Sequence, residues 1–225
     1  MAVAIVALGM RNGTIQLGET EFIFFAVLIP SIILHEVSHG WVALLFGDDT
    51  AKRAGRLTLN PIAHVDPFGT VILPAILILT TGSAFGYARP VPVSPSRMRD
   101  PRNHSLLTSL AGPAVNIVIA LISAALIRFV LIDLFTRFQE EPLYAKVIFE
   151  LGLVNVILAA FNLIPIPPLD GSAVIERLLP ARAWPTYLKL RQYSMLFLFV
   201  VIFWVDGALD RVFQPAIRLW INLLD

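Results

Sequence analysis

The sequence predicts an all-α polytopic membrane protein of about five to six transmembrane helices with short membrane-associated β segments. Three observations lead there. The chain of 225 residues is 57% hydrophobic and 15% charged, with a mean hydropathy of +0.77. Its apolar residues gather in near-continuous runs, which a soluble domain of this length would not carry. Proline and polar clusters separate these runs, as at Pro165-Ile166-Pro167-Pro168.

Residues 1–21 form an N-terminal segment, of which the first ten residues are too short to span a bilayer. Arg11-Asn12-Gly13, between Val3–Leu8 and Thr14–Leu17, resembles a hairpin signal; the alternative is a frayed segment lying on the surface. The first ten residues lack a basic n-region and a small-residue cleavage site, so they do not read as a signal peptide. Residues 22–46 make the first span, with a kink expected at Pro30. Residues 47–66 are a polar loop in which Arg56–Asn60 alternates like a strand. Residues 68–82 are apolar but short and hold Pro74. They span with help from neighbours, or are broken or re-entrant.

Residues 83–104 are rich in Pro and Arg, and Arg89–Pro95 reads as extended. Residues 105–132 form a clear span. Its Ala111-Gly112-Pro113-Ala114 stretch permits close helix contact, and Asn116 follows one turn on. Residues 147–164 are the next span, ended by the prolines at 165, 167 and 168. Residues 169–186 are a polar loop or short helix, and 187–205 the fifth candidate span. At the C-terminus Val212, Phe213, Ala216, Ile217 and Trp220 share one helical face. That helix lies in the interface plane or packs its apolar face on the bundle.

A net charge of +1 gives no general attraction to nucleic acid. There are no cysteines, which excludes disulfides and thiolate ligands, so any metal site must use His, Asp or Glu.

The chemistry-bearing motif is His35-Glu36-Val37-Ser38-His39, in the middle of the first span. H-E-x-x-H on a helix sets two imidazoles on one face, where both can bind one zinc ion. The glutamate beside the first can activate a zinc-bound water. Ionisable residues inside a span are costly and mark function. A catalytic zinc takes three protein ligands and a water. The candidates for the third are His64, His104, Asp66, Glu150, Asp170 and Glu176. Asp170 stands first, because the prolines before it break the helix, and irregular backbone at membrane depth belongs beside a polar cavity. Gly171 allows close approach or a left-handed turn. A solvated Leu169-Asp170-Gly171 turn at the membrane surface is the alternative.

Four segments taken together resemble the site-2 proteases, which are intramembrane zinc metalloproteases. They are His35–His39, Asn60-Pro-Ile-Ala-His-Val-Asp-Pro67, Ala111-Gly-Pro-Ala-Val-Asn116 and Asn162-Leu-Ile-Pro-Ile-Pro-Pro-Leu-Asp-Gly171. They occur in the family's order over residues 22–175, and the chain looks like a minimal form without PDZ or CBS domain. The resemblance implies a catalytic transmembrane core over 22–175; the residues beyond it, 176–225, read as a C-terminal span and an amphipathic helix. The resemblance also implies Asp170 as third zinc ligand beside His35 and His39, and Glu36 as the group that takes the water proton and returns it to the leaving amine. Asn162 is placed beside the site as a donor to the oxyanion, or else makes a helix–helix hydrogen bond. His64 orders the Asn60–Pro67 loop, or is a second donor. The implied substrate is the transmembrane helix of another protein, held extended against an edge at Arg56–Asn60 or Val91–Ser94. The family's compact members point to the bacterial plasma membrane. A metal-transporting or metal-binding membrane protein and an inactive helix-binding scaffold are the competing classes.

Overall fold

The computed structural model describes residues 3–7, 10–11, 14–15, 18–81, 83–131 and 142–224. The chain opens with three short strands, β1 (Val3–Ala7), β2 (Met10–Arg11) and β3 (Thr14–Ile15). Helices α1 (Glu19–Leu45) and α2 (Thr50–Arg53) follow. A 3-10 turn over Pro61–His64 and a π-helical stretch over Pro67–Ile72 lead into α3 (Leu73–Thr81) and β4 (Ser83–Tyr87). Helix α4 (Pro101–Leu126) continues into a π-helical turn, Ile127–Leu131. Then come α5 (Leu143–Asn162), α6 (Ser172–Leu178), α7 (Trp184–Arg191), α8 (Ser194–Trp204) and α9 (Ala208–Ile221).

Among the described residues, three helices are long and apolar enough to cross a membrane: Phe22–Leu45, Pro101–Val130 and Leu143–Asn162. Counting α7 and α8 as one broken span, bent by 58°, brings the number to four. The expected run at 68–82 falls short. The π-helical stretch has six residues and α3 nine, which at about 1.5 Å each gives roughly 22 Å against a hydrocarbon core of about 30 Å. Pro67 opens this stretch, and Asp66 caps it by accepting from the Gly69 amide.

Helices α1, α4 and α5 pack mutually and form the frame. Lipid tails are as apolar as leucine, so close contact and buried hydrogen bonds must hold such helices together. Small residues supply the contact: Gly112, Ala120 and Ala124 on α4, and Ala145, Gly152 and Ala159 on α5, are all buried. Helix α9 packs on α5 and α4. Trp220 is 3% exposed and donates Nε1–H to the Ala120 carbonyl. A Cβ on Gly152 would stand 2.2 Å from the Trp220 ring. Of the two arrangements open to the amphipathic segment, packing on the bundle is therefore the one adopted.

The strands differ from the expectation. β1 pairs antiparallel with β4, in register from Val3↔Tyr87 to Ala7↔Ser83. The expected hairpin is reduced to β2 with β3, Met10↔Ile15 and Arg11↔Thr14. Its Asn12-Gly13 turn lies outside the described residues. Arg56–Asn60 is no strand, because the chain turns there. The Asn60 side chain accepts from the Ile62 amide, and His64 Nε2 donates to the Thr58 carbonyl. Val91–Ser94 is no strand either. Pro90 and Pro92 lack N–H groups and so break any ladder there.

A buried carboxylate ties that extended segment to the end of α1. Asp48 accepts hydrogen bonds from the Thr50 amide, Thr50 Oγ1 and the Ser94 amide. Burial alone would raise its carboxyl, but these three donors outweigh burial and hold it below its ordinary value. A carboxyl lowered by folding stabilises fully above its unfolded value and loses that contribution as pH falls through the folded one. Protection of the Ser94 amide from hydrogen exchange should thus hold from neutral pH to about 4 and fall below it. Asp48→Asn should weaken it at neutral pH by about 1–3 kcal/mol and remove most of its fall in acid. Identical acid profiles for the two proteins would remove Asp48 from this role.

Candidate metal centre

Helix α1 carries His35, Glu36 and His39 one turn apart, all buried where α1 meets α4. Each imidazole is held by its Nδ1. His35 Nδ1 donates to Asn116 Oδ1 at 2.6 Å, and His39 Nδ1 donates to the Thr108 carbonyl at 2.7 Å. Both acceptors are on α4, so that helix turns the two Nε2 atoms inward together. Orienting a ligating imidazole through its other nitrogen is the usual outer-shell arrangement of metal sites.

Asp170 arrives on the turn that follows α5. The chain leaves α5 at Asn162, turns through the prolines and returns, and the Gly171 amide donates to the Asn162 carbonyl at 2.7 Å. A Cβ on Gly171 would stand 2.2 Å from the Leu163 carbonyl oxygen. Its φ is −58°, so close approach, not a left-handed turn, is what demands glycine there. Asp170 Oδ2 thereby comes 3.0 Å from His35 Nε2 and 3.4 Å from His39 Nε2.

The residues fit a metal ion. Donor atoms of His35, His39 and Asp170 all lie within 4.8 Å of one another. With zinc–nitrogen bonds of about 2.0–2.1 Å, neighbouring ligands of a tetrahedral zinc sit roughly 3.3 Å apart, which the two distances to Asp170 bracket. His39 Nε2 is buried and has no hydrogen-bond partner. Gly112 leaves the space open, since a Cβ there would stand 2.5 Å from both Nε2 atoms.

Glu36 faces the extended segment. Its Oε2 accepts the Val91 amide at 3.0 Å. Between Pro90 and Pro92, Val91 contributes the one amide. Arg56 braces the same segment by donating to the Arg89 carbonyl at 2.6 Å, and Gly40 makes room for the Val91 side chain.

The other candidates go elsewhere. His64 orders its own loop as one of its two expected roles required. His104 stacks on Phe46, with ring centroids 3.9 Å apart. Asp66 caps the π-helical stretch, and Glu176 accepts from Tyr187 and pairs with Arg191. Glu150 is in no ligand cluster among the described residues. Asn162 is buried, but its Nδ2 donates to the Leu158 carbonyl within its own helix, and its Oδ1 has no partner. It makes no helix–helix hydrogen bond through Nδ2. Sequence reasoning missed the Thr108 carbonyl and the Val91 amide, because backbone groups leave no trace in residue identity. It read Gly112 only as a packing residue.

Two imidazoles and a carboxylate that could hold a metal ion, with a glutamate adjacent, lie among helices long and apolar enough to cross a membrane. The model of peptidase family M50 matches residues 23–143 and 140–205. The chain belongs to that family, and so to the integral-membrane metalloproteases of the site-2 type. It is 43% identical to YwhC of Bacillus subtilis over 78% of this chain and 77% of that protein. It is 32% identical to Rip2 of Mycolicibacterium smegmatis over 82% of this chain and 67% of that protein. Both relatives carry the provisional name of zinc metalloprotease. MJ0392 of Methanocaldococcus jannaschii, named a zinc metalloprotease, is 26% identical over 79% of this chain and 39% of its own length. No solved structure matches the chain. Family membership does not favour the transporter or scaffold classes.

Proposed function

We propose that this protein is a zinc endopeptidase that cuts peptide bonds within or near the transmembrane helices of other membrane proteins. The observation that carries the reading is the convergence of His35, His39 and Asp170 with Glu36 beside them. Residues 22–175 are the catalytic core on this reading, and 176–225 a C-terminal span and supporting helix. A fifth crossing would need residues 68–82 to reach across with α7 and α8, in a bilayer thinned around them. The bacterial plasma membrane is the proposed location, which relatives from bacteria support.

His35, His39 and Asp170 hold the zinc. When bound, zinc acidifies a water and polarises the scissile carbonyl. Glu36 takes the proton of the attacking water and delivers it to the leaving amine. The Val91 amide holds the Glu36 carboxylate in place for both transfers. Asn162 is the proposed donor to the developing oxyanion. Its Nδ2 carries two hydrogens, so one can stay on the Leu158 carbonyl while the other is offered to the oxyanion. Asn162→Ala should keep its zinc and lose on the order of 100-fold in kcat. Unchanged kcat would return Asn162 to a packing role.

Zinc per chain in detergent-purified protein tests the centre directly. We expect about one zinc in the wild type and its loss or marked weakening in Asp170→Ala. Wild-type zinc content in that variant, with Glu150→Ala or Glu176→Ala losing it instead, would reassign the third ligand.

A further inference from the structure

A chain of buried hydrogen bonds runs from His35 through α4 and α5 back to α1. Asn116 Nδ2 on α4 donates to Asn155 Oδ1 on α5 at 2.7 Å. Asn155 Nδ2 donates to Ser31 Oγ on α1 at 2.9 Å and to the Leu151 carbonyl at 2.8 Å. Ser31 Oγ donates to the Val27 carbonyl at 2.7 Å. All three side chains are no more than 1% exposed.

The direction of this chain is set from its far end. A backbone carbonyl can only accept. Leu151 O and Val27 O therefore require Nδ2 of Asn155 and the hydroxyl hydrogen of Ser31. With Nδ2 so committed, Asn155 presents its oxygen to Asn116. Asn116 must then offer Nδ2 to Asn155 and Oδ1 to His35. A lone oxygen acceptor beside His35 Nδ1 requires the proton on that nitrogen, which leaves the Nε2 lone pair for a ligand. An amide oxygen and nitrogen can be exchanged in placing a side chain, but each exchange here would set acceptor against acceptor or donor against donor.

We propose that Asn155 is a positioning residue for the metal centre: acting through Asn116, it fixes His35 as the Nδ1–H tautomer with Nε2 free to bind the ion. Asn155 touches neither ligand nor substrate. It converts the polarity of one turn of α5 into the tautomer of a histidine on α1. His39 needs no such relay, because its Nδ1 meets a backbone carbonyl directly. The proposal rests on the reading of His35, His39 and Asp170 as zinc ligands.

The test uses zinc-loaded protein with 15N-labelled histidines, wild type beside Asn155→Leu. Zinc affinity is measured by chelator competition and the two Nδ1–H resonances by NMR. In Asn155→Leu the His35 Nδ1–H resonance should shift and exchange faster, while that of His39 stays. Zinc affinity should fall about tenfold or more. Adding Asn116→Asp should restore it, since a carboxylate accepts from His35 Nδ1 whatever stands at position 155. If Asn155→Leu does not fold, Asn155→Val carries the same expectation. Unchanged His35 resonance and affinity in a folded variant overturn the proposal. So does the joint loss of both histidine resonances without rescue, which marks a structural role only. If His35→Ala binds zinc as tightly as the wild type, the ligand reading itself fails and takes the proposal with it.

Discussion

Gly112→Ala will empty the metal centre of a protein that remains folded. The added methyl would stand 2.5 Å from His35 Nε2, His35 Cε1 and His39 Nε2, well inside van der Waals contact. Side-chain ends can often yield to such an intrusion. These two are pinned by their Nδ1 hydrogen bonds to Asn116 and Thr108, which belong to the same helix as the intruding methyl. The imidazoles can give way only by breaking the bonds that aim them. The backbone, by contrast, gains, since alanine in a helix interior is favoured over glycine by about 1 kcal/mol. Zinc content should therefore fall from about one per chain to near zero, and cleavage with it, while the helical circular dichroism of the metal-free protein is kept. Wild-type zinc content in the variant would show that α4 or the histidines adjust, and the cradle argument would be wrong.

The parts of this site legible in the sequence are those in which residue identity itself carries the chemistry. His35, Glu36 and His39 declare themselves by spacing, because an i, i+4 pair on a helix faces one way regardless of what surrounds it. Asp170 was readable less directly, through the prolines that stop α5 and force the chain to turn back where a carboxylate can enter the bundle. What escaped were the groups whose role depends on a distant neighbour. Thr108 acts through its carbonyl and Val91 through its amide, and any residue but proline at 91 has that amide. Asn155 looks like a lone polar residue in an apolar helix until Ser31 and Asn116 are brought to it from 124 and 39 residues away. The pairing of β1 with β4 escaped for the same reason. The Asn12-Gly13 signal fixes what lies next to it, and says nothing of a partner beginning at Ser83. The segment at 68–82, expected either to span with help or to be broken or re-entrant, is short, a π-helical stretch of six residues joined to a helix of nine, as its proline and its short apolar run suggest.

Glu36→Gln should separate metal binding from chemistry. Glutamine matches glutamate in shape, and its Oε1 can still accept the Val91 amide, so the segment over the centre keeps its anchor. None of the three proposed ligands is altered. What is lost is a group able to take a proton from water and give it to an amine, because an amide does neither near neutral pH. The expected result is about one zinc per chain, a wild-type melting temperature to within a few degrees, and cleavage reduced on the order of 100-fold to 10,000-fold. The assay would use single-span membrane proteins reconstituted with the enzyme, so that it also probes the proposed substrate class. Cuts confined to soluble, unstructured peptides would overturn that class while leaving the chemistry intact. Activity retained in Glu36→Gln would place water activation on another residue. Loss of zinc along with activity would mean that Glu36 holds the centre together instead of acting on the substrate. Set beside Gly112→Ala, which removes the ion and spares the base, the pair of variants divides the site along its two functions. The Val91 amide predicts how cleanly they divide: it must still hold residue 36 in both.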